Sequence, residues 1–197
     1  MISKSLLKEI EKFARGKHKK SDYNHDIRHI IRTVKLAKRI AKKEKADLGV
    51  CVVAAWLHDV GQSIQIKDHH KYSMKLAEPF LKKLGFDKKF TDKVLHCIYC
   101  HSTKNVDKAK TIEAKVVYDS DMLQVMGAFG FVRILTHESV FNKLNLDNSI
   151  KKSRELAKRT NKKLQTRTAK ALIKNENRLM EKFHRSYDKW DNGLNMR

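Results

Sequence analysis

Only one proline and seven glycines occur in 197 residues, too few turn formers for a sandwich or barrel of many short strands. No apolar run approaches the ~18 residues of a membrane-spanning helix; the longest, Leu48–Leu57, ends at His58-Asp59. Acidic residues are scarce, 22 against 44 lysines and arginines, a formal charge of +22. Cysteines number three, an odd count, and the opening MISKSLLKEIEKFARG lacks the apolar core of a signal peptide. Reduced thiols and a cytoplasmic setting are therefore expected. What is present, 41% hydrophobic and 34% charged residues, excludes a wholly disordered chain and suits one all-α domain.

The positive charge has two readings. Runs such as Lys17-His18-Lys19-Lys20, Lys42-Lys43 and Lys151-Lys152 are spread along the chain. A dedicated nucleic-acid reader concentrates such residues on one element, whereas a solubilising surface disperses them. Nucleic acid remains an open partner on charge alone.

Apolar spacing predicts helices over residues 2–15, 24–44, 47–57, 68–84, 88–101 and 111–136, with one or two long basic helices from residue 148. Asn24 or Asp22 is expected to cap the second helix, Pro79 to kink or interrupt the fourth, and the sixth to break near Asp119. The third is apolar on every side, which belongs in the middle of a fold.

Several polar residues fit these apolar segments poorly. At about 100° per residue, His29 shares a stripe with Thr33, Leu36 and Ile40, at the edge of the buried face. His25 lies one turn earlier on that side. His58-Asp59 closes the most hydrophobic helix, and Asp119 and Asp121 flank Ser120 between two apolar runs. Buried imidazoles and carboxylates are costly unless balanced. A divalent cation would balance them, although an isolated buried histidine is more often a satisfied core residue.

The ordered set His29, His58-Asp59, Asp121 resembles the HD superfamily of metal-dependent phosphohydrolases. Residues 25–32, HDIRHIIR, are similar to the family's HDxxHxxR stretch, and 54–61, AAWLHDVG, to its AAxLHDIG core motif. Residues 119–123, DSDML, with 127–133, GAFGFVR, look like its DADxLxxxGAxGxxR block. His69-His70-Lys71-Tyr72-Ser73 and the stretch 96–102 resemble further pieces of a nucleotide pyrophosphohydrolase-like subgroup, and Arg178-Leu179-Met180-Glu181-Lys182-Phe183 is similar to the family's RxxFMxxF ending.

The resemblance implies an HD-type helical bundle, with residues 1–19 a helix packing on it, 20–140 the phosphohydrolase core and 141–197 the closing helices. It implies metal ligation by His29, His58, Asp59 and Asp121. Gln62 stands where cyclic-dinucleotide phosphodiesterases carry lysine, and Gln62-Ser63 lacks the acidic pair of alarmone hydrolases. Met122 and Gln124 replace the arginine and aspartate common in the subgroup's block.

Two imidazoles and two carboxylates suit Mn²⁺ first, with Fe²⁺, Zn²⁺, Ni²⁺ or Mg²⁺ as alternatives. Asp59, His70 and His101 are the expected catalytic residues, and His25, Arg32 and Arg133 the expected substrate-binding ones. Arg32 equally suits a surface salt bridge. Cys97-x-x-Cys100 has no second pair to complete a zinc site and reads as ordinary helix cysteines. The basic tail carries Leu156, Leu164, Leu172, Leu179 and Phe183, as expected of an amphipathic helix that packs. The function expected is hydrolysis of a phosphoanhydride or phosphoester in a small nucleotide. The alternatives are a phosphodiesterase of cyclic phosphodiesters or RNA ends, or a nucleic-acid-binding protein with a structural metal.

Overall fold

The computed structural model describes residues 2–18, 26–64 and 67–193. Among them all regular structure is helical: α1 (Lys4–Lys17), α2 (Ile27–Glu44), α3 (Leu48–Leu57), α4 (His69–Lys83), α5 (Lys88–Cys100), α6 (Ile112–Met122), α7 (Gly127–Val140), α8 (Leu146–Lys163) and α9 (Arg167–Asp191). Short 3-10 turns occupy Val106–Lys108 and Leu123–Val125. The helices form two compact units, one reaching Asp121 and including Gln165–Thr168, the other holding Met122–Leu164 and the chain from Ala169.

In the first unit α3 is central. Every residue from Val50 to Leu57 is buried, and α1, α2 and α5 pack against it while α4 packs on α5. Short polar side chains set the helix starts by accepting hydrogen bonds from otherwise orphaned amides. Asp26 accepts from His29 N at 3.0 Å, Asp47 from Gly49 N and Val50 N, and Asp87 from Phe90 N. Asp26 therefore fills the role expected of Asn24 or Asp22, both of which lie outside the described residues.

The expected break at Pro79 does not occur; α4 continues through it to Lys83. Pro79 and Lys75 both lie on the exposed side, so the carbonyl that loses its amide partner is on the solvent face. The expected helix over 111–136 is instead two, and the break comes at Met126-Gly127, not Asp119. Met126 is extended, and Gly127 takes φ +65°, the left-handed region that favours glycine. In this second unit the Glu176 side chain also lies 2.9 Å from where a Cβ on Gly127 would stand.

The second unit packs α7 against α8. Phe131 of α7 meets the rings of Phe183 and His184 from α9, and Arg154 of α8 bonds His184 Nδ1 at 3.0 Å and Asp188 at 2.7 Å. Of the apolar tail residues in the expected stripe Leu164 is buried, but Leu179 and Phe183 are exposed; the buried positions of α9 are Ala169 and Ile173.

Candidate metal centre

Six side chains of the first unit converge from the ends of five helices. His29 lies in the first turn of α2, where the Asp26 cap fixes the backbone, and Thr33 Oγ1 donates to the His29 carbonyl at 3.0 Å. His58 and Asp59 follow α3. His69 opens α4, His101 closes α5 and Asp121 lies in the last turn of α6. His29, His58, Asp59 and His101 are essentially excluded from solvent.

The donors fall into two triads, His29, His58 and Asp121 in one and Asp59, His69 and His101 in the other. Asp59 joins them. Its Oδ2 lies 3.4 Å from His58 Nε2 and 3.7 Å from His29 Nε2, while its Oδ1 lies 3.3 Å from His69 Nε2 and 3.2 Å from His101 Nε2. His29 Nε2 is 3.3 Å from both His58 Nε2 and Asp121 Oδ1, and His58 Nε2 is 4.0 Å from Asp121 Oδ1. An ion with bonds of ~2.1 Å needs neighbouring ligand atoms ~3 Å apart and opposite ones ~4.2 Å apart, and these separations fall in or near that range.

The proton count also favours a cation. His58 Nδ1 donates to the Ala55 carbonyl at 2.9 Å and His101 Nδ1 to the Ile98 carbonyl at 2.6 Å. Each bond takes the ring proton to the outer nitrogen and turns the Nε2 lone pair inward, the arrangement of a metal-ligating histidine. Among the four atoms around the first triad His58 Nε2, Asp121 Oδ1 and the adjoining Asp59 Oδ2 are then acceptors, and only His29 Nε2 can bring a proton among them. Asp59 Oδ1 meets neither neighbouring imidazole in a well-aligned hydrogen bond. Burial pushes the Asp59 carboxyl upward, but the imidazoles of His58, His101 and His69 outweigh it and hold the group well below the usual carboxylate range. The residues present fit a divalent ion.

The turn after Asp59 is held tightly. Gln62 N donates to the Asp59 carbonyl at 3.0 Å, and Gly61 N to Ser73 Oγ at 3.0 Å. A Cβ on Gly61 would stand 2.4 Å from Ser73 N, so only glycine lets this turn lie against α4. The lock sets Asp59 relative to His69, one turn earlier on α4.

His29, His58, Asp59 and Asp121 lie together, as the sequence expectation required. Asp119 does not join them. Its carboxylate is buried and accepts from Gln165 N, Thr166 N and Thr166 Oγ1 at 2.7–3.2 Å, so the balance for this charge is a chain segment and not a cation. His70 also stands apart from the triads: its Nε2 accepts from Asn105 Nδ2 at 3.1 Å. Burial lowers its pKa, helped by the charges of His101 and His69. Arg32 is half-buried on α2. Arg133 belongs to the second unit, buried, with Nη1 donating to the Gln124 carbonyl at 3.3 Å. His25 lies outside the described residues.

The residue missed by the sequence reading is His69. The pair His69-His70 was a visible signal, but only the start of α4 decides which ring turns toward Asp59. Cys51, Cys97 and Cys100 are buried free thiols, and burial raises the pKa of each. No cysteine joins a metal-binding group among the described residues.

A family model described as HD domain matches residues 26–126, just over half of the chain. The chain belongs to the HD domain family. The YpgQ protein of Bacillus subtilis is 36% identical over 113 residues, 55% of each chain, and the MJ1020 protein of Methanocaldococcus jannaschii 38% over 81 residues, 38% of this chain. The alignments span 55% and 30% of the length of these curated relatives. Among solved structures, B. subtilis YpgQ in complex with ADP matches with a TM-score of 0.78 at 26% identity, over 96% of this HD chain and 100% of that one. A predicted HD superfamily hydrolase from an uncultured Thermotogales bacterium matches at 0.69 and 26%, over 93% and 92%. The expected all-α, single-domain HD fold is thus borne out. No helix of the described residues is long and apolar enough to cross a membrane.

Proposed function

We propose that this HD protein is a cytoplasmic, divalent-metal-dependent phosphohydrolase that cleaves a phosphoanhydride or phosphoester of a small nucleotide, with Mn²⁺ as the preferred ion. The observation that carries the reading is the buried convergence of His29, His58, Asp59 and Asp121, in which acceptors outnumber protons. The nucleotide class is supported by the ADP bound to the related YpgQ.

His29, His58, Asp59 and Asp121 would hold the ion. When bound, the ion supplies Lewis acidity to a phosphate group and acidifies water at neutral pH. Asp59 would also orient a water molecule for attack. His101 and His70 act on the phosphate or the leaving oxygen, and Arg32 and His25 offset phosphate charge. Three of these side chains, those of His29, His58 and Asp59, are buried, and the exclusion of bulk water strengthens each electrostatic contact.

A specific observation favours a two-ion version. Asp59 Oδ1 lies 3.3 Å from His69 Nε2 and 3.2 Å from His101 Nε2, so Asp59, His69 and His101 would hold a second ion. In that version His69 and His101 would be ligands, and His101 would not serve as an acid.

The test is elemental analysis of the purified chain, followed by a screen of nucleoside mono-, di- and triphosphates for released phosphate or pyrophosphate. Release that depends on added Mn²⁺ is expected. A chain without bound or recruitable divalent ion, or with no Mn²⁺-dependent release from any nucleotide, overturns the reading. Tight, salt-sensitive RNA binding in its place would support the nucleic-acid alternative.

A further inference from the structure

Asn105 is buried beside His70 and held on both sides. Its backbone N donates to the Ser102 carbonyl at 2.8 Å, and its carbonyl accepts from Lys108 N at 2.9 Å. Its Nδ2 lies 3.2 Å from the Tyr99 carbonyl oxygen and 3.1 Å from His70 Nε2. A carbonyl only accepts, so the Tyr99 contact fixes which end of the amide is NH₂. The second amide hydrogen is then available to His70, whose Nε2 must accept it. An imidazole that accepts at Nε2 carries its hydrogen on Nδ1.

That Nδ1 is buried and has no hydrogen-bond partner among the described residues. Buried donors without acceptors are rare in native structures, and each calls for an explanation. His70 is only 3% exposed, and the Tyr99 ring crosses it edge-on at 5.6 Å, so the imidazole has little room to turn. The residue before it, His69, belongs to the triad with Asp59 and His101. The donor thus stands next to the candidate centre in sequence, within the same unit.

We propose that Asn105 is a positioning residue: it locks His70 in the Nδ1–H tautomer, so that His70 presents a fixed hydrogen-bond donor to an oxyanion of a phosphate-bearing ligand at this centre. The ligand class rests on the phosphohydrolase reading; the tautomer does not. An asparagine suits this role where an aspartate would not. A carboxylate at 105 would accept from His70 Nε2 and move the ring hydrogen there, leaving Nδ1 a lone pair that repels an oxyanion.

The test reads the tautomer directly. Long-range ¹H–¹⁵N spectra of the full-length, metal-free protein, with His70 assigned by comparison with His70→Gln, are expected to show a protonated Nδ1 and an unprotonated Nε2. Inorganic phosphate added with Mg²⁺ is expected to shift the Nδ1–H resonance. Asn105→Asp is expected to reverse the tautomer and weaken phosphate binding by about tenfold, the size of one charge-assisted hydrogen bond. A wild-type His70 protonated at Nε2 overturns the proposal whatever the variant does. A phosphate titration that leaves the His70 signals unmoved overturns the donor role. If the tautomer and the phosphate shift are found but no nucleotide is hydrolysed with any divalent ion, the proposed function fails while this inference stands.

Discussion

Asp59 shows one carboxylate oxygen to His58 Nε2 at 3.4 Å and the other to His101 Nε2 at 3.2 Å. The two imidazoles are fixed alike, each donating from Nδ1 to the carbonyl three residues earlier at the end of its helix. A helix C-terminus offers spare carbonyls, so α3 and α5 each end in an oriented histidine without a further orienting side chain. One carboxylate thereby links two nitrogen donors through opposite oxygens.

The separation of Asp119 from Asp121 gives a stability prediction. Asp119→Ala removes the acceptor from Gln165 N, Thr166 N and Thr166 Oγ1, all tied to the start of α9. The loss should be about 2–4 kcal/mol in urea unfolding, because buried donors are left unpaired. Metal content of the folded fraction should stay at the wild-type level. Loss of metal with full stability would place Asp119 in the centre instead.

Much of this was legible in the sequence. The apolar helix ending in His58-Asp59, and His29 on the edge of an apolar stripe, demanded a compensating charge before any fold was known. Asp119 and Asp121 looked equivalent because both interrupt an apolar run. They differ through residues 165–166, some forty-five positions away, and no local pattern carries that distance. The choice between His69 and His70 likewise rests on where α4 begins and on how the Gly61–Ser73 contact holds it against the turn after Asp59. The interruption expected at Pro79 does not occur, because propensity penalises the ring but does not know that its side of the helix faces water.

Glu44 gives a prediction for acid. Hydrogen bonds from the Thr168 side chain and backbone, at 2.7 Å for the amide, lower its pKa below the ordinary 4.5. A carboxylate whose folded pKa is depressed adds stability that is complete above its unfolded value and is lost as pH falls through the folded one. Glu44→Gln should therefore lower the urea midpoint at pH 6 and converge with wild type toward pH 3. A gap between the two that stays constant from pH 6 to pH 3 would show that this charge contributes nothing.

The cysteines are expected to be bystanders. Cys97 and Cys100 are buried, their thiols are raised above the ordinary 9.0, and neither joins a metal-binding group. A Cys97→Ala/Cys100→Ala double variant should keep its full metal content and lose about 1–3 kcal/mol through lost packing. A stoichiometric loss of zinc in that variant would contradict their placement outside the centre.

The most direct measurement of the central claim is anomalous diffraction from crystals of the Mn²⁺-loaded protein, collected at the manganese edge. The account predicts a peak bounded by His29 Nε2, His58 Nε2, Asp59 Oδ2 and Asp121 Oδ1, each ~2.0–2.3 Å from the ion. A second peak between Asp59 Oδ1, His69 and His101 would establish the two-ion form. Crystals grown in excess Mn²⁺ with no peak at either triad, or with the ion bound elsewhere, would contradict it.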